Sequence, residues 1–196
     1  PLSERTPSRR NLVRHMLQKD DFRNVYSILD VGPLEFDCGT LCDSLCCQEF
    51  EPGVGIYLLP GEEQMFTQQE TWLIWTYPKA RYGGFPSSWK GRAPFVMCKG
   101  QCPREKRPIQ CRTFPLMPYL SLDKRLETRM DFLSGILICP ILKNPCKYPL
   151  SSRFVQAVEQ AWSILLRDPL IWDLVWQRSR QLDEQTDSPW LKLFRE

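Results

Sequence analysis

Nine cysteines stand in three groups along this chain of 196 residues. Four fall close together as Cys38-x3-Cys42-x3-Cys46-Cys47, three follow as Cys98-x3-Cys102-x8-Cys111, and Cys139 and Cys146 come last. Cysteine thiolates ligate both zinc and iron–sulfur clusters. The steps 38 to 42, 42 to 46 and 98 to 102 all have the short spacing by which neighbouring ligands reach one metal. Soft sulfur donors argue against calcium or magnesium. The single histidine, His15, is remote in sequence and reads as a surface residue, which excludes a finger with two cysteines and two histidines. It also removes most hydrolytic triads.

Cys46 and Cys47 are adjacent. In extended backbone, neighbouring side chains point to opposite faces. A turn brings both to one metal; otherwise one packs, or each serves a different metal. Nine thiols suffice for two four-cysteine centres with one left over, or for one centre with several structural cysteines. The bland alternative is that some, Cys139 and Cys146 foremost, are small buried hydrophobes.

Charge is divided between the cysteine groups. Residues 30–70 carry nine acidic side chains and no Lys or Arg, whereas residues 99–129 carry eight basic and three acidic ones. If the groups meet in space, their charges compensate. Arg107 and Arg112 flank Cys111 and are the candidate cofactor-binding residues. They either neutralise thiolates and grip an anionic substrate in bidentate fashion, or pair with Asp37, Asp43 or Glu49 and lock the two groups together. Glu62 and Glu63 read as helix-start residues, and Trp72, Trp75 and Tyr77 as core.

Hydrophobic content of 42% with 25% charged residues fits a globular protein with a real core. No apolar run is long enough for a membrane span, and residues 1–20 lack the apolar stretch of a secretory signal. Nine cysteines in that setting favour a reducing, cytoplasmic compartment over a disulfide framework. A net charge of +3 gives no reason to expect nucleic acid as a partner.

The elements that position these residues follow from periodicity. Residues 9–29 read as helical with a break at Asp20-Asp21, using Leu12, Val13 and Met16 on one face and Phe22, Val25, Tyr26 and Leu29 on another. Residues 54–59 suggest a short strand, Gly61 the cap of a brief helix over 62–69, and 71–77 a buried strand. Phe95-Val96-Met97 predicts a strand that delivers Cys98, and 103–110 a charged loop. Residues 115–122 and 126–132 predict a hairpin around Asp123-Lys124. Residues 136–140 carry Cys139. Beyond Pro149, Ser151 or Ser152 caps a helix to Arg167, and Asp168-Pro169 starts another to Asp183. A tail, 189–194, has an apolar tip. The expected fold class is α+β: a small irregular metal-centred core with a few short antiparallel strands, flanked by N-terminal helices and a C-terminal helical hairpin. Residues 1–149 form the cysteine-cluster unit and 150–196 a helical extension packed on it. The extension's apolar stripe reads as hairpin packing, or alternatively as a docking face for a protein partner.

The chain resembles the YkgJ-like cysteine-cluster family, described as zinc- or iron-chelating, to which the flagellin lysine-N-methylases are related. Two features carry the resemblance. One is a compact cysteine group ending in a pair, here Cys38, Cys42, Cys46 and Cys47. The other is the stretch Arg107-Pro108-Ile109-Gln110-Cys111-Arg112-Thr113-Phe114-Pro115. The likeness spans roughly residues 36–140, including the segment from Gly55 to Glu62, and leaves out the C-terminal helices. The gap between Cys42 and Cys46 is a residue longer than in many simple members and closer to the methylase-like form.

The resemblance implies a bound zinc ion or an iron–sulfur cluster, of 4Fe-4S type, and no particular activity. For the methylase branch it implies a cluster and methyl transfer from S-adenosylmethionine to lysine. Neither a G-x-G-x-x-G motif nor a C-x3-C-x2-C triplet is present to support that. Candidate ligands are Cys38, Cys42, Cys46, Cys47, Cys98, Cys102 and Cys111, with Cys139 completing the set. No catalytic residue is identified. The apolar neighbours Phe36, Leu41, Leu45, Phe50, Phe95 and Phe114 lead to the expectation of a buried, structural or electron-carrying centre. The competing expectations are an iron–sulfur enzyme with one open ligand position and a metal carrier with exposed thiolates.

Overall fold

Two aspartates set the frame of the molecule. The computed structural model describes residues 12–47, 53–67, 69–99, 102–132 and 139–186. The predicted residues 9–11, most of 136–140 and the tail 189–194 lie outside them. Helix α1 (Lys19–Ile28) has Asp20-Asp21 in its first turn and is not broken there. The Asp21 carboxylate accepts the Gln18 backbone N–H at 2.8 Å, closing the first turn. Carboxylates in that turn also suit the positive end of the helix dipole. The segment before it is extended, with Val13 N donating to Arg92 O at 3.2 Å. Val13 and Leu17 are buried while Met16 is 65% exposed, so the expected first helical face does not form.

Asp168 is the second aspartate. It is fully buried, accepts the Leu170 backbone N–H at 2.9 Å, and starts helix α5 (Pro169–Thr186) as expected. Its other oxygen accepts the backbone N–H groups of Met16 and Leu17. One carboxylate therefore ties the N-terminal segment to the C-terminal helices.

The fold is α+β, with short antiparallel strands in two small sheets. Strands β1 (Ile56–Tyr57), β2 (Leu73–Thr76) and β3 (Phe95–Cys98) form the first, in the order β1-β3-β2. Pairing of Leu73 with Cys98 fixes the register that presents this cysteine at a strand end. β2 is an edge strand with one open face: Leu73 is buried but Ile74 is 44% exposed, not wholly covered as its composition suggests. The second sheet is the predicted hairpin, β4 (Leu116–Leu120) and β5 (Leu126–Met130), with Lys124 at φ 64° in the turn. The expected charged loop after Pro103 instead holds a 3-10 turn, Arg104–Lys106, and a short helix α2 (Ile109–Thr113). A one-turn helix, α3 (Pro140–Lys143), follows Cys139.

Helix α4 (Ser152–Leu165) is capped by Ser151, whose hydroxyl accepts the Phe154 N–H at 3.2 Å. Its apolar stripe, including Phe154, Val158, Trp162 and Leu165, is buried. The main core joins that stripe to Phe22 and Val25 of α1, to Leu29 just after it, and to Ile171, Leu174 and Val175 of α5. The C-terminal helices thus supply much of the same core as the N-terminal part. Among the described residues, this largest apolar cluster contains no cysteine. A smaller cluster of Leu58, Phe66, Leu73 and Val96 lies under the first sheet, and Cys98 packs against it.

Candidate metal centre

The first cysteine group is shaped by Asp37 and Gly39. The Asp37 carboxylate accepts the Gly39 N–H at 3.0 Å, starting the 3-10 turn Cys38–Leu41. Ser44 N then donates back to Gly39 O at 2.9 Å, and Asp43 and Ser44 adopt φ of 50° and 56°. A side chain at Gly39 would meet Ser44 Oγ, so the Ser44 hydroxyl would have to rotate away. Cys46 and Cys47 follow in a second 3-10 turn, Leu45–Cys47. The adjacent pair is therefore in a turn and not in extended backbone. The Cys47 side chain lies outside the described residues.

In the second group, Cys98 ends β3 and its thiol is hydrogen-bonded with that of Cys102. Cys102 is 5% exposed, and its Sγ donates to Pro103 O at 3.6 Å. The Cys98 bond, burial and the neighbouring Cys98 and Cys111 thiols push the Cys102 thiol strongly up, against the opposing charge of Arg107. Without a cation it stays protonated.

Cys111 sits on α2, and several bonds fix that helix. Glu62, fully buried, accepts the Ile109 N–H at 2.6 Å, the Leu59 N–H at 2.9 Å and the Tyr26 hydroxyl at 3.0 Å. Burial raises its pKa to about 7 even though these three bonds favour the carboxylate. Gln110 Nε2 donates to Tyr57 O at 2.7 Å, and Arg178 Nη1 donates to Gln110 Oε1 at 3.1 Å. Arg112 lies 4.5 Å over the Tyr26 ring. Its Nε donates to Arg107 O at 2.9 Å and its Nη2 to Glu105 O at 2.6 Å. Burial lowers its pKa, opposed by Tyr26, Asp30 and Glu62.

Arg112 accordingly spends its fork on backbone carbonyls and braces the 105–113 segment. Arg107 lines the cavity described below, and its Nε is buried without a hydrogen-bond partner among the described residues. The anticipated cross-link between the cysteine groups is made by Arg104, whose Nη1 stands 3.9 Å from Asp37 Oδ1. Both side chains are largely solvated, so this pair adds little stability. Glu49 lies outside the described residues.

A cavity of about 700 Å³ connects the groups. Cys38, Cys42, Cys46, Cys111 and Cys139 all stand on its wall, beside Arg104 and Arg107 and the apolar side chains of Phe114 and Met117. Cys98 and Cys102 lie behind Cys111 and not on that wall. Cys146 is exposed and apart from it. The apolar neighbours do not bury the thiols as expected: Cys46 is exposed, Cys38, Cys42, Cys98, Cys111 and Cys139 are half-exposed, and Phe36 is 50% exposed. His15 is half-buried, its Nδ1 2.7 Å from Leu17 O and its ring against Gly61, away from the cysteines.

The eight described cysteines form no disulfide with one another. Their chemistry suits zinc or an iron–sulfur cluster, and more than four stand in one neighbourhood. Their placement does not close a coordination shell: among the described residues, no three His, Cys, Asp or Glu side chains are grouped to hold a metal ion. No helix among those residues is long and apolar enough to cross a membrane.

Comparison with known proteins returned no match to a family model, a curated protein or a solved structure.

Glu62, Tyr26 and Arg104 are the residues whose importance here the sequence conceals. Glu62 follows the apolar stretch 56–59 and a Pro-Gly step, which signals only a helix start. Its burial depends on α1 and α2 closing over it from distant parts of the chain.

Proposed function

We propose that this chain is a metal-binding protein of a reducing, cytoplasmic compartment, with a thiolate-ligated iron–sulfur or zinc centre in a structural or redox role. One observation carries the reading: a single cavity wall brings together Cys38, Cys42 and Cys46, Cys111, and Cys139, one from each sequence group or more. The resemblance to the YkgJ-like family points the same way. Eight described cysteines that form no disulfide with one another suit a reducing compartment. The reading requires the two cysteine-bearing turns at 38–47 to draw toward Cys111 when the ion is present. Such coupling of metal binding to local folding is common in small thiolate sites. The residues that would hold the centre are Cys38, Cys42, Cys46, Cys111 and Cys139, with Cys98 and Cys102 as a contacting pair behind them.

A second reading, an iron–sulfur enzyme of the lysine-N-methylase type, is favoured by the size of the same cavity. About 700 Å³ is enough for a small organic molecule beside the thiols. In that case Arg107, with its buried Nε facing no partner among the described residues, would meet an anionic group of the ligand.

The test is anaerobic purification followed by measurement of iron, zinc and acid-labile sulfide, with a visible spectrum. Roughly equal iron and sulfide with broad visible absorbance supports a cluster. Colourless protein with stoichiometric zinc supports the zinc form. Protein that takes up neither when reconstituted sinks the proposal. Cys111→Ser is expected to lose the metal and Cys146→Ser to keep it.

A further inference from the structure

Away from the cysteines, a second concavity of about 1200 Å³ opens between residues 12–14, the 79–92 loop and the start of α5. Among the described residues its walls carry Arg14, Lys79, Arg81, Lys90 and Arg92, and no aspartate or glutamate. The sequence explains the single sign of charge, because residues 71–104 contain no acidic side chain. Backbone pairing gathers the cations. Ala80 N donates to Gly91 O at 2.9 Å, and Val13 N to Arg92 O at 3.2 Å. Those bonds bring Arg14, the 79–81 turn and residues 90–92 to one rim.

Elsewhere on the surface, three exposed arginines meet carboxylates: Arg23 with Asp20, Arg125 with Asp123, and Arg129 with Glu127. Among the described residues none of the five groove cations forms an ion pair. Arg92 Nη1 donates to Tyr77 O and Arg81 Nη2 to the Tyr82 hydroxyl, both at 2.6 Å, which fixes the side chains and leaves their charges uncompensated. Like charges held in one concavity repel each other and focus a positive potential there. The floor is rigid, since Phe85 and Trp89 stack at 4.4 Å and Trp89 Nε1 donates to Leu170 O at 2.8 Å. Ser88 Oγ, on the same wall, is buried without a hydrogen-bond partner among the described residues.

We propose that this groove binds a compact, multiply charged phosphate-bearing anion, with Arg14, Lys79 and Lys90 supplying the movable charges and Ser88 a hydroxyl donor. Single-stranded nucleic acid fits less well, because it needs open aromatic faces to stack its bases. Trp89 is only 4% exposed and is already stacked. The phosphate belongs either to a soluble molecule or to a lipid headgroup, and the chemistry of recognition is the same.

The probe is inorganic tripolyphosphate, titrated calorimetrically into the 196-residue chain. Binding is expected, and it should weaken as ionic strength rises from ~20 to ~200 mM because these contacts are solvent-screened. Lys79 and Lys90 are exposed and make no side-chain hydrogen bond among the described residues, so their removal spares the fold. Lys79→Ala with Lys90→Ala should weaken binding about tenfold. Arg23→Ala with Arg125→Ala removes the same charge elsewhere and should leave it unchanged. No binding at low salt, or equal loss in both double variants, overturns the proposal. Phosphatidylcholine vesicles containing phosphatidylinositol bisphosphate separate the two sources. Vesicle binding that tripolyphosphate displaces assigns a headgroup, and tripolyphosphate binding without vesicle binding assigns a soluble anion; both support the site. A single-stranded oligonucleotide that binds more tightly than tripolyphosphate, and is lost in the same lysine variant, overturns the compact-anion assignment.

Discussion

The carboxylate of Glu62 accepts the backbone N–H of Ile109 at 2.6 Å, two residues before Cys111. Through Leu59 the same side chain reaches the segment that follows β1, and through Tyr26 it reaches α1 itself. A cysteine on the cavity wall is thus held from behind by a buried acid. The bond spans 47 residues of sequence, so it forms only when both segments are in place.

The first prediction concerns pH. Glu62 has an ordinary pKa of 4.5 when unfolded and about 7 when folded. The folded state therefore favours its protonated form. That contribution is full below the unfolded value, erodes as pH rises toward the folded value, and is lost above it. The difference is on the order of 3 kcal/mol for a fully buried group. Urea denaturation should find the metal-free protein less stable at about pH 8 than at about pH 5 through this group. Glu62→Gln loses one backbone bond, because its amide nitrogen cannot accept an N–H. It should nevertheless flatten the pH slope. An unchanged slope in the variant would assign the titration to another residue.

A second prediction separates the arginines. Arg112→Lys replaces a planar fork by a point charge, so the bonds to Arg107 O and Glu105 O cannot both persist. It should destabilise the protein by about 2 kcal/mol, as expected for buried carbonyls losing a charged donor. It should also lower metal occupancy by loosening the Cys111 segment. Arg104→Lys keeps a solvated charge near Asp37 and should cost almost nothing. Thermal melts and metal content of the two variants make the comparison.

The contrast between these arginines marks where the sequence is legible. Local patterns were sufficient for the β4–β5 hairpin, for β3 ending in Cys98, and for the caps at Ser151 and Asp168, since each depends on neighbours a few residues away. Leu12, Val13 and Met16 have helical spacing and predict a helix before α1, whereas Arg92 and Asp168 hold that backbone from far along the chain. The same limit applies to the site. Spacing places Cys38, Cys42 and Cys46 together, but only the tertiary fold brings Cys111 and Cys139 to the same cavity. Which arginine would meet Asp37 was a matter of loop shape: the short helix α2 turns Arg112 inward and leaves Arg104 on the outer turn.

A third prediction tests the tie between the chain ends. Asp168→Ala removes the start of α5 and leaves the N–H groups of Met16 and Leu17 without their acceptor. A lost N-cap costs about 1 kcal/mol, and buried donors left unpaired cost about 1–3 kcal/mol more. Denaturation should therefore shift by about 3 kcal/mol in total. Ser151→Ala removes a cap alone and should cost about 1 kcal/mol. Equal losses in the two variants would mean that Asp168 does nothing beyond capping.

A fourth prediction uses the thiols themselves as reporters of the centre. In metal-free protein Cys46 and Cys146 are exposed, and Cys102 is buried with its thiol held protonated. Alkylation follows thiolate fraction and access, so iodoacetamide should modify Cys46 and Cys146 early and Cys102 last. Reconstitution with iron and sulfide, or with zinc, should protect Cys46, because ligation removes the nucleophile and draws its turn toward Cys111. Cys146 stands off the cavity wall and should stay reactive. Mass spectrometry of peptides after timed labelling reads each cysteine separately. Protection of Cys46 together with Cys111 and Cys139 would join the three sequence groups in one centre. Protection of Cys46 with continued labelling of Cys111 and Cys139 would confine the metal to the first group and break the link that the shared cavity suggests.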